Sequence, residues 1–228
     1  MCCARLPPVT MRAEVHRVPT PPGARPSSRD QLVLLRGIPW DQYDALVRAR
    51  GADPGPRMAY LDGHLEIMTV GPKHEYEKKL LARLIEAWAE ERDVSLNGFG
   101  QTTYRKKAKM AGLEPDECYC VGPQKGDVPD LAIEIFHTSG GVDKLEIYRR
   151  LGVPEVWFWA RGELWVYRLV DRQYEKVERS YALPALDLGE ISRIVRETDW
   201  AHQTEAVRAY RRALATPPSQ RRPRPRRK

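Results

Sequence analysis

Residues 114–159 read EPDECYCVGPQKGDVPDLAIEIFHTSGGVDKLEIYRRLGVPEVWFW, and Asp116, Asp130, Glu134 and Lys144 are charged residues in or beside segments that otherwise have the character of a core. Glu134 is the sharpest case, because in PDLAIEIF it sits inside an apolar run of strand length. Burying an unpaired carboxylate costs several kcal/mol, so such a residue has a cation, a metal or a chemical role. Two carboxylates arriving from neighbouring strand ends make a hard oxygen site suited to Mg²⁺ or Mn²⁺, which binds water and polarises a phosphodiester oxygen. A nearby lysine can hold the scissile phosphate or orient the attacking water. Asp116, Glu134 and Lys144 are of the right types, in the right order, for that chemistry. Other chemistries lack their motifs: there is no G-x-x-x-x-G-K-[ST] phosphate loop, no G-x-S-x-G elbow and no H-E-x-x-H helix.

Strands and a helix must position these groups, and the sequence predicts both. An apolar run over residues 32–38 leads to Pro39 and a short amphipathic helix carrying Trp40, Tyr43, Leu46 and Val47, ended by Gly51. RMAYLDGHLEIMTV predicts a hairpin around Asp62-Gly63, a dipeptide suited to a type I′ turn. Pro72 starts a long helix to about Arg92, with His74 and Glu77 in its first turns and Tyr76, Leu80, Leu81, Leu84, Ile85 and Trp88 as its apolar stripe. Short strands are expected over residues 95–99 and 102–106. The helix after PDLAIEIF is expected to begin near Gly141, to carry Lys144, Tyr148 and Leu151 on one face, and to stop at Gly152. A second hairpin crosses Arg161-Gly162, and a further strand falls over residues 174–179. Residues 191–214 read as helical, with Trp200, Val207, Tyr210 and Leu214 on a stripe that packs on its own domain or, in a homodimer, on a second copy.

The chain of 228 residues has a net charge of +7, but the charge is not evenly spread. Residues 1–29 hold five Arg and one Glu, and residues 217–228 hold five Arg and one Lys, which leaves residues 30–216 slightly acidic. The expectation is a mobile basic arm over 1–29, one folded domain over 30–216 and a disordered basic tail over 217–228. No apolar run approaches bilayer length and the N-terminus lacks a secretory core, so no membrane association and a cytoplasmic location are expected. Cys118 and Cys120 read as small buried hydrophobes, since no second pair completes a zinc site.

PD at 115–116, PDLAIE at 129–134 and D-K-x-x-x-Y at 143–148 followed by GVPEVWFW resemble the Uma-two family of endonucleases in the restriction-endonuclease-like PD-(D/E)xK superfamily. LRGIPWDQYDALV, LDGHLEIM and GPKHEYEKKLL extend the resemblance over about residues 32–170. It implies an α/β restriction-endonuclease-like fold, with a mixed central sheet flanked by helices, an N-terminal β-hairpin and C-terminal helices. It also implies Mg²⁺-dependent hydrolysis of DNA, with Asp116 and Glu134 as metal ligands. The superfamily's usual lysine stands two residues after the acid, where this chain has Phe136, and Lys144 is the replacement on the following helix. Asp130 either adds a carboxylate or caps its strand, Glu77 either supplies an extra acid or only complements the helix dipole, and His74 fits the family's helix-start histidine. Tyr148 either packs the helix or touches substrate, and Glu66 is an edge charge or a neighbour of the site. The rival reading is a binding or scaffold module that kept the nuclease fold and lost turnover.

Overall fold

A computed structural model describes residues 30–51, 55–100, 102–123, 126–137 and 141–215. The basic arm and the basic tail lie outside the described residues. The first apolar run forms strand β1 (Gln31–Arg36), and Pro39 opens helix α1 (Trp40–Arg50). Strands β2 (Arg57–Leu61) and β3 (His64–Thr69) turn at Asp62 and Gly63, whose φ values of 44° and 82° are the paired positive angles of a type I′ turn. Helix α2 (Pro72–Glu91) follows, then the short strands β4 (Leu96–Gly98), β5 (Tyr104–Lys106) and β6 (Ala111–Leu113). The charged stretch gives β7 (Glu117–Val121), β8 (Leu131–Phe136), α3 (Lys144–Leu151) and β9 (Glu155–Ala160). Strands β10 (Glu163–Val170) and β11 (Gln173–Val177) and helices α4 (Leu188–Glu197) and α5 (Gln203–Ala215) complete the described chain.

The expected mixed sheet flanked by helices is present, in the order β11-β10-β9-β8-β7-β4, with β8 and β9 parallel across the α3 crossover and the other neighbours antiparallel. The hairpin does not stand alone beside it. It is the middle of a second, antiparallel sheet in the order β1-β3-β2-β6-β5. Of its outer strands, β5 falls within the short strand expected over residues 102–106 and β1 in the first apolar run, whereas the three-residue β6 carries too little alternation to be read from sequence.

Side chains alternate across β8. Leu131, Ile133 and Ile135 enter a core built with α2, α4 and α5, whereas Ala132 faces a second core shared by α3, β6 and the start of β7. Glu134 lies on the Ala132 face, between the two sheets.

Two helices differ from expectation. Helix α3 starts at Lys144, because the Asp143 carboxylate accepts the Glu146 backbone N–H and fixes the cap there. The segment expected to be helical over 191–214 is interrupted at Thr198 and Asp199. Thr198 is extended and its hydroxyl donates to the Ile194 carbonyl, while the Asp199 carboxylate accepts the Ala201 N–H. Trp200 thereby leaves the apolar stripe.

Candidate active site

The pairing of β7 with β8 sets the site. Glu117 stands opposite Ile133, so one step further along the antiparallel register brings Asp116 across from Glu134, on the same face. Asp116 is fully buried, and its Oδ2 accepts the Ile135 backbone N–H at 2.6 Å. Its Oδ1 meets Arg57 from β2 in a close ion pair and lies 3.0 Å from His74 Nε2. The expected histidine of α2 is therefore at the site. His74 Nδ1 is 3.0 Å from Asp30 Oδ2, and the other Asp30 oxygen accepts the Gly71 N–H where α2 begins.

Glu134 is also fully buried and is held by α3. Lys144 Nζ donates to Oε2 at 2.7 Å and the Tyr148 hydroxyl donates to Oε1 at 2.5 Å. The spacing i, i+4 puts both donors on one helix face. A lysine in the first turn is opposed by the helix dipole, and pairing with Glu134 offsets that. Glu66 on β3 closes the far side, with Oε1 3.9 Å from Lys144 Nζ and Oε2 accepting the Val142 N–H at 3.0 Å. Phe136, two residues beyond Glu134, is 41% exposed and packs edge-on against Phe158.

The other expected residues divide. Asp130 stands at the opposite end of β8, where its carboxylate accepts the Val121 N–H and its own N–H donates to the Tyr119 carbonyl. Four residues along a strand is about 13 Å, so Asp130 ties β7 to β8 away from Asp116 and Glu134. Glu77, one turn along α2 from His74, faces His137. Glu77 Oε2 is 2.8 Å from His137 Nε2 but without hydrogen-bond alignment, and Lys73 lies 3.7 Å from Oε1. The His74 and His137 rings are 5.9 Å apart, so this pair borders the site. Arg57 and Asp30 were not found by sequence reasoning. Arg57 opens its strand rather than interrupting an apolar run, so the signal that singled out Glu134 did not mark it.

Burial shifts Arg57, Glu66 and His74. It lowers the Arg57 pKa, with Glu134 and Glu75 opposing, and raises that of Glu66. Burial also pushes His74 down to about 4, although Asp30 favours its charged form. The neutral ring carries one N–H. Carboxylates face both ring nitrogens, Asp30 at Nδ1 and Asp116 at Nε2, each at 3.0 Å, and Arg57 Nη1 lies 3.3 Å from Nε2. Four carboxylates, from Asp30, Glu66, Asp116 and Glu134, thus surround two basic side chains, Arg57 and Lys144. Asp116 and Glu134 carry hard oxygens of the kind a divalent cation takes, and each oxygen already has a protein partner that such a cation would displace or share. Among the described residues no three His, Cys, Asp or Glu side chains form a metal cage. Mg²⁺ does not require one, since it commonly binds through one or two carboxylates and keeps its waters or takes phosphate oxygens.

The family profile of Uma2, described as "putative restriction endonuclease", matches residues 40–200. Among curated proteins none matches the chain. A solved structure titled a putative nuclease belonging to DUF820, from Anabaena variabilis, is similar at 16% identity and a TM-score of 0.44, over 73% of this chain and 97% of its own.

Proposed function

The chain belongs to the Uma2 family, and from that premise we propose that it is a Mg²⁺- or Mn²⁺-dependent endonuclease that hydrolyses DNA phosphodiester bonds in the cytoplasm. The observation that carries this reading is the meeting of Asp116, Glu134 and Lys144 on one face of the mixed sheet, with Lys144 Nζ 2.7 Å from Glu134. Asp116 and Glu134 would hold the metal, which when bound supplies a Lewis acid and a water of lowered pKa. The protein's own groups do the rest. The Ile135 N–H fixes the Asp116 carboxylate, and Tyr148 fixes that of Glu134. Lys144, 9% exposed and reaching back from α3, presents its ammonium to the scissile phosphate, where it stabilises charge developing on the phosphate oxygens. Arg57 is the second cation able to face that charge.

The test is nicking of supercoiled plasmid and of linear duplex in Mg²⁺, in Mn²⁺ and in EDTA. Cleavage should require metal, disappear in Glu134→Gln and fall steeply in Lys144→Met. If the wild-type protein cleaves nothing across a range of both metals, or Glu134→Gln cleaves as well as wild type, the nuclease reading is lost. One observation favours the alternative, a nuclease-fold binding or scaffold module without turnover. Each oxygen of Asp116 and Glu134 already has a protein partner, so the cluster is neutralised locally without metal. Such a module would bind its nucleic acid equally with and without metal.

A further inference from the structure

A cleft of ≈ 330 Å³ opens between the start of α2, the end of α4 and the Arg161-Gly162 turn. Its floor is aromatic. The Trp200 ring stacks on Tyr76, with centroids 5.2 Å apart and planes 8° from parallel, and Tyr76 is anchored by donating its hydroxyl to the Thr198 carbonyl. Trp200 is 55% exposed, so the face turned from Tyr76 is open. Lys73, Arg161 and Arg196 line the same cleft, with Arg196 steadied by donation to the Gly162 carbonyl. Glu77 is its carboxylate, already faced by His137 and Lys73, and the His74–His137 contact joins this wall to Asp116.

An open indole face among cations has the make-up of single-strand binding sites, where bases stack and the backbone lies along positive charge. We propose that this cleft binds an unpaired nucleotide of the substrate strand, its base on Trp200 and its phosphates on Lys73, Arg161 and Arg196. The site would favour nucleic acid with a single-stranded or extruded base next to the cleaved bond. Its placement rests on the nuclease reading.

The test uses the full chain in EDTA, so that cleavage does not intrude, and a fluorescein-labelled oligothymidylate of twelve nucleotides alongside a blunt duplex of equal length. The single strand should bind more tightly, with quenching of tryptophan fluorescence. Trp200→Ala should weaken it about tenfold and Trp200→Phe much less, as expected for one stacked base. Arg161→Gln and Arg196→Gln should each reduce the salt dependence of binding by about 0.7 in log–log slope. Equal binding by wild type and Trp200→Ala, both folded by circular dichroism, overturns the proposal, as does a preference for duplex. If plasmid is cleaved in Mg²⁺ while Trp200→Ala binds unchanged, the cleft is refuted and the nuclease stands. If nothing is cleaved while single strand still binds through Trp200, the cleft stands and the nuclease reading falls.

Discussion

Glu134 shows how a carboxylate survives inside a strand. Lys144 supplies its charge and Tyr148 a hydrogen bond, and together they meet both oxygens. The repulsion between the two buried carboxylates, Asp116 and Glu134, is offset by Lys144 and Arg57, so neutralising Glu134 removes more than it relieves. We expect Glu134→Gln to lose on the order of 3 kcal/mol of stability without metal, because a buried ammonium keeps only the more distant Glu66. Adding Mg²⁺ should raise the Tm of wild type and leave that of Glu134→Gln unmoved; equal shifts in thermal denaturation would remove Glu134 from the metal. Tyr148→Phe keeps the packing of α3 and removes one donor, so a loss of about 1–2 kcal/mol is expected by urea denaturation. For Asp130→Asn, at the far end of the strand, the Mg²⁺-induced Tm shift should match that of wild type.

Helix α3 is the element that delivers Lys144. Asp143 caps it, and Asp143→Ala should cost about 1 kcal/mol and lower turnover by letting the first turn fray. Gly141 lies where a Cβ would collide with Glu66 Oε2, so even Gly141→Ala must push Glu66 off the Val142 N–H and should weaken cleavage more than it lowers Tm. Farther along, Arg149 and then Arg150 hold the Glu146 carboxyl down to about 2. A depressed acid contributes stability that is present above its unfolded value of about 4.3 and is lost as pH falls toward 2. Glu146 is partly exposed, so solvent screening limits this to about 0.5–1 kcal/mol. The Tm gap between wild type and Glu146→Gln should be open at pH 6 and close between pH 5 and pH 2; a constant gap would show that the ion pairs contribute nothing.

At the scale of the whole molecule, Arg57 crosses from the antiparallel sheet to Asp116 on the mixed sheet, and also pairs with Glu75 on α2. It therefore ties together three elements at the site and, in the arrangement seen, occupies an oxygen that a metal would need. The two roles give Arg57→Ala effects of opposite sign. Stability without metal should fall by about 3–5 kcal/mol, because Asp116 is left buried with less compensation, while Mg²⁺ affinity should rise as the competitor is lost. Calorimetric titration beside thermal denaturation reads both, and a variant that loses both together would show that Arg57 shapes the metal site rather than competes for it. Among the described residues no helix is long and apolar enough to cross a membrane.

The sequence by itself determined the local elements and the acids. Periodicity gave α2 and its stripe, Asp62-Gly63 gave the hairpin, and an acid inside LAIEIF marked Glu134, because each signal lies within a few residues of its cause. It also pointed to Lys144 through its place after the acidic strand. Which charge meets which was decided only by tertiary structure. Asp116 faces Glu134 through the register of β7 on β8, and Arg57 reaches Asp116 from another sheet, 59 positions away in the chain. Tyr148, readable as mere packing, became the second donor to Glu134, and Trp200 left a helical stripe for an open cleft because Thr198 and Asp199 bond to nearby backbone. Such pairings depend on desolvation shared between segments distant in sequence, and a one-dimensional pattern carries no record of it.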